Sequence, residues 1–246
     1  MSNFALFIIV NLVPGKYDEW VKITKDTREH VTASEPGCVS YYFGTSEIHG
    51  AEKRSKPTVV WAYEAYQSRD DFITHVQSEF VAKMMANASR ILTTPPDVPM
   101  YETIHGFLDK TTDMKECGLI WDTKIATATG KRETVLQRLK ELAGWVEANE
   151  PDTYTFLVHR AVGEGAENEV RILERYASRD GMDWRRTRMR SRWQASLRRA
   201  RKILYGWMVV DMFRMMLVGG IVKKIVLVFG FRLRALHFDS SRDLAF

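Results

Sequence analysis

The chain has 246 residues, of which 45% are hydrophobic and 27% are charged. This balance is ordinary for a soluble globular protein with a sizeable core, and the length suits one large domain or two of about 100–150 residues. The 2 cysteines lie far apart and the 6 histidines are scattered. Neither a disulfide framework nor a bound metal is therefore expected, which suits a protein of the reducing cytoplasm.

The net charge of +5 is unevenly distributed along the chain. From Trp184 to the end, 15 Lys and Arg residues stand against 3 acidic residues, whereas the preceding part holds 21 basic and 28 acidic residues. The sequence therefore predicts a mildly acidic body followed by a strongly basic C-terminal segment.

The first predicted element is a buried strand, FALFIIVNLV at residues 4–13. No Lys or Arg precedes it and Asn11 interrupts its apolar run, so it does not have the pattern of a signal peptide. Gly15 then introduces a predicted helix. Its inward positions recur at helical spacing: Trp20, Ile23, Thr27 and Val31. Glu35 and Pro36 end it, because the residue before a proline is forced out of the α region.

Two strands and a second helix follow this turn. CVSYYF at 38–43 and VVWAYEAY at 59–66 are rich in β-branched and aromatic residues and predict strands, and the polar segment 46–56 between them predicts a loop. Ser68, with Asp71 three positions later, predicts the N-terminus of a helix. The apolar positions of that helix are Phe72, Val76, Phe80, Met84 and Ile91.

PMYETIHGF at 99–107 predicts one more strand, which gives the order β-α-β-β-α-β of a ferredoxin-like unit. Much of this unit then recurs. PGKYDEW at 14–20 matches TGKRETV at 129–135, and Glu150–Pro151 follows Gly130 at the same 20-residue spacing that separates Glu35 from Gly15. Matches at fixed offsets over such a length predict a duplicated domain.

The repeated helix has its own apolar face, formed by Val135, Leu139, Leu142 and Val146. We predict a first domain at 1–108, a linker at 109–116, a second and degenerate domain at 117–215, and an atypical tail at 216–246. A sheet with both helices on one face leaves its other face uncovered. We therefore expect the second copy to cover the open face of the first.

The segments PGKYDEW, SEPGCVSYYF and VVWAYEAYQSRDDFITH closely resemble the antibiotic biosynthesis monooxygenase family, part of the dimeric α+β barrel superfamily. The resemblance covers residues 4–107 and, more weakly, 117–183. It implies an α+β fold in which two tandem ferredoxin-like (βαββαβ) units form a dimeric α+β barrel within one chain. It also implies relatives that are cofactor-free oxygenases of anthrones and quinols, haem-degrading enzymes, or proteins without an established reaction.

Two polar residues are candidates for catalysis in a largely apolar cavity, which we expect between the two sheets. His75 is either a general base, since an imidazole can take a phenol or anthrone proton near neutral pH, or a hydrogen-bonded core residue. Asn11 is either an amide donor to a substrate oxyanion or a solvated side chain at the end of a strand.

Four further residues are candidates for binding the substrate. Trp61, Tyr41 and Tyr63 offer flat surfaces for a polycyclic ligand, although aromatic residues are more often core. Glu64 could orient His75 or cap neighbouring backbone. The second copy has Arg171 in place of Trp61, Phe156 in place of Tyr41 and no histidine in its WRRTRM segment. We therefore expect any chemistry in the first copy.

The basic segment 184–204 predicts an amphipathic helix whose apolar stripe is Met189, Trp193, Leu197, Ala200 and Leu204. Its arginine-rich face suits either weak contact with a membrane surface or docking onto the acidic body, and we expect no nucleic-acid partner. Beyond it one strand is expected, with IVLVFGF at 225–231 as a second candidate. Paired glycines and lysines interrupt this region too often for a membrane-spanning helix.

The first functional hypothesis is a cytoplasmic, cofactor-independent monooxygenase that oxidises a small phenol, anthrone or hydroquinone with dioxygen. No Gly-x-Gly-x-x-Gly and no phosphate loop suggest a flavin or nicotinamide site, so no cofactor is expected. The alternative is a non-catalytic barrel that binds a small apolar ligand or serves as an interaction module. The chain is expected to be a monomer or a homodimer.

Overall fold

The computed structural model describes residues 4–45, 58–108, 119–178, 222–229 and 233–236. The strands in these ranges are β1 (Phe4–Asn11), β2 (Cys38–Thr45), β3 (Val59–Tyr66), β4 (Met100–Phe107), β5 (Leu119–Thr127), β6 (Thr153–Val162), β7 (Glu169–Tyr176), β8 (Val222–Phe229) and β9 (Leu233–Leu236). The helices are α1 (Tyr17–Ser34), α2 (Arg69–Gln77), α3 (Glu79–Ala88) and α4 (Arg132–Asn149).

These strands form one nine-stranded sheet in the order β2-β3-β1-β4-β6-β7-β5-β8-β9. The first four strands of that order belong to the first copy, and β6-β7-β5-β8 repeats the same arrangement with the strands of the second copy. All the described pairings are antiparallel. The predicted α+β fold of two tandem ferredoxin-like units is thereby confirmed.

The two copies meet where β4 pairs with β6. Gly106 of β4 has a φ of 123°, and a Cβ added there would lie 1.9 Å from the carbonyl oxygen of Phe156, so the close approach of the strands requires glycine. The sheet curls beyond this junction until Trp61 Nε1 of β3 donates to Asp122 Oδ2 of β5, at 3.2 Å. The second copy therefore covers the open face of the first, as expected from the duplication.

The helices follow the sequence signals with one difference. Ser68 caps α2 as predicted, because its Oγ accepts the backbone N–H of Asp71 at 3.2 Å. The single helix expected after it is divided at Ser78, whose extended backbone ends α2 and whose Oγ caps α3 by accepting the N–H of Val81 at 3.2 Å. A serine in mid-helix offers the backbone this alternative hydrogen bond, and here the alternative is taken.

β8 lies beyond the predicted end of the second copy. It pairs with β5 along its length, in the position that β4 holds beside β1. We therefore propose that the second unit extends past residue 215, with β8 as its fourth strand; β8 overlaps the strand predicted as a second candidate at 225–231. The linker 109–116 and the basic helix 184–204 lie outside the described residues. Among the described helices, none is long and apolar enough to cross a membrane.

Candidate functional site

A cavity of about 330 Å³ lies in the first copy, between the helices and the sheet face that they cover. Its walls are mostly apolar and come from β1, β2, β3, α1, α2 and α3. The polar side chains in its lining are Thr24, Thr27, Tyr41, Glu64 and His75. A space of this size, apolar with a few polar groups, is typical of a site for a small organic molecule.

Comparison of the two copies explains why the cavity exists. Counting from the matched Gly15 and Gly130, Thr24 corresponds to Leu139 and Thr27 to Leu142. The two leucines are buried in the closely packed core of the second copy. Two shorter side chains on the same helix face therefore leave space in the first copy that leucine fills in the second.

The sheet contributes a third difference in side-chain size between the two copies. Ala62 of β3 lines the cavity, and its counterpart, counting from the matched Glu64 and Glu174, is the buried Ile172.

The two threonines keep the cavity apolar. The hydroxyl of Thr24 donates to the carbonyl of Val21 at 3.0 Å, and that of Thr27 to the carbonyl of Ile23 at 2.7 Å. Both hydroxyls are thus satisfied within α1 and leave their methyl groups to the cavity.

His75 is the titratable group best placed to act on a molecule in this cavity. It lies on α2, is only 3% exposed, and lines the cavity. Its Nδ1 lies 2.6 Å from Glu35 Oε2. Since an ionised carboxylate can only accept, this contact assigns the hydrogen to Nδ1 and leaves Nε2 of the neutral ring with a free lone pair. In this arrangement His75 can accept a proton at Nε2.

The carboxylate that holds His75 is therefore Glu35. Orienting His75 is one of the two roles considered for Glu64, and a different residue fills it. Glu64 is buried, and it accepts hydrogen bonds from Tyr66 at 2.8 Å and from Tyr41. Burial raises the pKa of Glu64, against the opposing effects of His75 and the two tyrosines. Its role in the fold is repeated in the second copy, where Tyr176 donates to Glu174 at 2.9 Å.

The structure brings three of the six predicted site residues together and separates the others. Tyr41, Glu64 and His75 line the cavity. Trp61 and Tyr63 point to the opposite face of β3, because side chains alternate along a strand. There they contact Asp122 and His159 of the second copy, Tyr63 through its OH at 3.1 Å from His159 Nε2.

Asn11 also lies outside the cavity lining. It ends β1 in register with the residues of the barrel face, and its Nδ2 donates to Thr94 Oγ1 at 3.4 Å. The expectation that Asn11, Trp61 and His75 would share one pocket between the sheets is therefore wrong. Alternation along β1 and β3 assigns Asn11 and Trp61 to one face of the sheet, whereas His75 approaches from the helices on the other.

The space between the sheets, where we expected the cavity, holds a buried ion pair. Arg171 donates to both oxygens of Asp122, at 2.7 and 2.6 Å, and to Tyr101 OH at 3.0 Å. Its guanidinium also lies 4.0 Å from the ring centre of Phe7. Burial opposes the charge of Arg171, but Asp122 outweighs that effect and raises its pKa. This network joins the two copies through the barrel interior.

The mouth of the cavity is apolar. Val76 of α2 and Met85 of α3 line the cavity and are each 42% exposed, and Val98, before β4, is 36% exposed. Surface side chains of this kind around an opening favour the passage of an apolar molecule rather than a charged one.

The sequence of the first copy matches the model of a known protein family. Residues 5–87 match the family model described as antibiotic biosynthesis monooxygenase. The predicted resemblance is confirmed. The matched segment contains α1, α2 and most of α3, with β1 to β3, and so includes most of the cavity lining. No curated protein sequence matches the chain.

Solved structures that align with nearly the whole length of the chain share the described fold at low sequence identity. A candidate monooxygenase of Fusobacterium nucleatum is 12% identical with a TM-score of 0.69, over 96% of this chain and 93% of that one. One from Lactobacillus acidophilus is 12% identical with a TM-score of 0.65, over 96% and 100%. An anthrone oxidase-like protein is 12% identical with a TM-score of 0.54, over 100% and 96%. At these identities the likeness shows the fold.

Proposed function

We propose that the first copy is a cofactor-independent monooxygenase that oxidises a small phenol, anthrone or hydroquinone with dioxygen. The observation that carries the proposal is His75, buried against an apolar cavity, with Nδ1 held by Glu35 and Nε2 left to accept a proton. The match of residues 5–87 to a monooxygenase family supports the same reaction class.

The proposed reaction starts with a proton transfer. His75 Nε2 removes the proton that acidifies the substrate, which is O–H in a phenol or hydroquinone and a ring C–H in an anthrone. The electron-rich anion then reduces dioxygen. For an anthrone, the carbon bonds to one oxygen atom of O₂, a peroxide forms, and loss of water leaves a carbonyl. One oxygen atom enters the product and the other leaves as water, so no external reductant is needed.

The cavity contributes by excluding water around the reacting anion. Its leucine, isoleucine, valine and methionine side chains lower the local polarity, which strengthens the few electrostatic contacts that remain. Tyr41 and Glu64 form the polar part of the wall nearest to His75 in this proposal. Asn11, Trp61 and Tyr63 have no role in it, because they lie outside the lining.

A second candidate function is binding without catalysis, as an apolar-ligand carrier or interaction module. The exposed apolar mouth formed by Val76, Met85 and Val98 favours it. Such a protein needs the cavity but not the proton-accepting histidine, so the two functions predict different consequences for the same substitution.

The test is oxygen uptake by the purified full chain with a panel of hydroquinones and anthrones and no added cofactor. His75→Gln is expected to lower kcat by about 10²–10⁴-fold, the range for loss of a general base. Ligand Kd should change little, because the cavity is kept. His105→Gln on β4, away from the lining, is the matched control and should retain activity.

The outcomes separate the two functions. Uptake that depends on His75 and not on His105 supports the oxygenase. Ligand binding by folded protein, with no uptake across the panel or with equal uptake by His75→Gln, overturns the oxygenase and leaves the binding function.

A further inference from the structure

We propose that Glu35 and His30 form a proton route from His75 to solvent, with Glu35 as the positioning residue and His30 as the outlet. The inference rests on the proposed function, since a substrate that fills the cavity covers Nε2 and leaves Nδ1 as the side through which His75 can exchange a proton with water. It assigns a role to two residues that the sequence pattern marked only as part of a helix and its end.

Glu35 lies between the two histidines. Its Oε2 is 2.6 Å from His75 Nδ1, and its Oε1 is 3.6 Å from His30 Nε2. Oε1 is buried and makes no hydrogen bond with any described residue. A buried carboxylate oxygen without a partner is costly, and a small movement of His30 toward it would supply one.

His30 is placed to exchange protons with water. Its side chain is 33% exposed, against 4% for that of His75. The ring stacks flat on Phe80 of α3, with centroids 4.0 Å apart and planes 7° apart, so its orientation is fixed by packing. Ser34 Oγ lies 3.3 Å from the same Nε2 that faces Glu35. The three groups thus lead from a buried ring to a partly exposed one.

The second copy shows that the fold alone does not require this arrangement. Glu150 ends α4 as Glu35 ends α1, with its N–H bonded to the carbonyl of Val146 at 2.9 Å. Its carboxylate instead accepts the hydroxyl of Thr153, at 2.8 Å. The counterpart of Thr153 is Cys38, so the first copy lacks that hydroxyl and the Glu35 carboxylate bonds to His75.

Both histidines are also absent from the matched positions. The counterpart of His30 is Trp145, which packs against the core of the second copy, and the position of His75 falls among arginines in WRRTRM. The helix-ending glutamate is thus present in both copies, whereas the two histidines occur in the copy that has the cavity. That coincidence favours a function for the three groups together.

Other titratable groups near His75 are less suited to take its proton. Glu64 faces it from β3 but is held by Tyr41 and Tyr66. The Tyr41 and Tyr66 rings lie 6.0 and 5.6 Å from the imidazole, centre to centre. Burial, followed by the charge of Glu64, raises the pKa of the Cys38 thiol to about 12, so it stays neutral. Glu35 is the group in hydrogen-bond contact with the ring.

The transfer moves one proton and no electrons. Nε2 of His75 takes the substrate proton, and the Nδ1–H proton passes to Glu35. Glu35 delivers a proton to Nε2 of His30, whose Nδ1–H is lost to water. His75 is then neutral with its hydrogen on Nε2. The peroxide takes that proton while the same path, run in reverse, returns a proton from water through His30 and Glu35 to Nδ1, which restores all three groups with no net release of protons.

The experiment measures the exchange of the His75 ring proton with water by ¹⁵N NMR on the intact, ligand-free chain, so it needs no substrate. The wild type is expected to show the Nδ1–H tautomer. His30→Phe keeps the stack on Phe80 and should slow the exchange by about tenfold or more. This is less than the roughly 10²–10⁴-fold effect of removing a general acid or base from a reaction. Glu35→Gln should slow the exchange as well. Glu150→Gln and His105→Gln are the controls and should leave the rate unchanged.

The results bear separately on the route and on the reaction. Equal exchange rates in wild type and His30→Phe, or an Nε2–H tautomer in the wild type, overturn the proton route whatever the oxygen uptake. Slower exchange in His30→Phe supports the route even if no substrate is found, and the absence of uptake then counts against the oxygenase alone. With an active substrate, added imidazole should restore the kcat of His30→Ala without changing KM, a rescue that a merely structural role would not produce.

Discussion

The two copies in this chain share a backbone plan and differ in what they enclose. Each has the same strand order, the same glutamate at the end of its first helix and the same buried glutamate–tyrosine pair on its third strand. In the first copy the helices cover a cavity of about 330 Å³, whereas in the second copy α4 packs against a filled core. Among the described residues, the two copies therefore differ in side-chain volume at positions that line the cavity of the first copy.

The copies also differ on the face where they meet. At matched positions the first copy has Phe7 and Trp61, and the second has Asp122 and Arg171. The ion pair of the second copy is completed by groups of the first, since Trp61 donates to Asp122 and Phe7 stacks under Arg171. The second copy thus supplies the charged side chains of this contact and the first copy supplies the aromatic ones. Substitutions in the ion pair test this difference.

The largest effect is expected from Arg171→Met, which leaves Asp122 buried without its partner. We expect the free energy of unfolding to fall by about 3–5 kcal/mol, measured by urea denaturation. The double substitution Asp122→Leu with Arg171→Met removes both charges and should recover most of that loss. If the single variant is as stable as the wild type, the ion pair does not hold the two copies together.

The next effect concerns pH and the buried His159, whose counterpart in the first copy is Gly44. Burial lowers the pKa of His159 from 6.5 to about 3, so the folded ring stays neutral while the unfolded one takes up a proton below pH 6.5. This contribution to stability is fully present above pH 6.5 and is lost as the pH falls toward 3. The loss is about 1.4 kcal/mol per pH unit, or about 3 kcal/mol at pH 4.

His159→Gln tests that dependence, because glutamine can still hydrogen bond but does not titrate. Unfolding free energies of wild type and variant, measured between pH 8 and pH 4, should converge as the pH falls. Parallel curves would show that His159 does not carry the acid sensitivity.

A smaller effect is expected from Leu142→Thr, which gives the second copy the residue that the first has at this position. Leu142 is almost completely buried, and its replacement should lower the free energy of unfolding by about 2–3 kcal/mol through lost apolar contact and a new void. The hydroxyl itself should cost little, because it can bond to the carbonyl one turn earlier, as Thr27 does. A binding assay with an apolar dye should then detect a new site, and a variant of unchanged stability would contradict the packing comparison.

The sequence predicts the fold well because strands, helix ends and the duplication all have local signals. It predicts the site only in part. The alternation of β3 correctly groups Trp61 with Tyr63, but the pattern does not say which face of the sheet keeps a cavity, since that depends on how volumes add across β1 to β3 and α1 to α3. Glu35 is recognised as a helix terminator, whereas its bond to His75 arises from tertiary packing.

One signal for the cavity was present in the sequence and is visible only when the copies are compared residue by residue. At two matched helix positions the first copy has threonine where the second has leucine. On the third strand the first copy has alanine where the second has isoleucine. A size difference on the buried face of a duplicated domain predicts a void in the copy with the smaller side chains. Polarity patterns miss it, because threonine at a buried helical position is still counted as part of the apolar face.

The smallest effect on stability, and the sharpest test of the comparison, is expected from Thr27→Leu. The extra volume enters the cavity, so the free energy of unfolding should change by no more than about 1 kcal/mol, while affinity for an apolar ligand should fall at least tenfold. Thr32→Leu is the matched control, since Thr32 makes the same bond to a carbonyl of α1, at 2.8 Å, but is exposed. Retained ligand affinity in Thr27→Leu would mean that the ligand binds elsewhere. Loss of affinity in Thr27→Leu alone would establish that the side chain at one of the three matched positions is enough to close the site of the first copy.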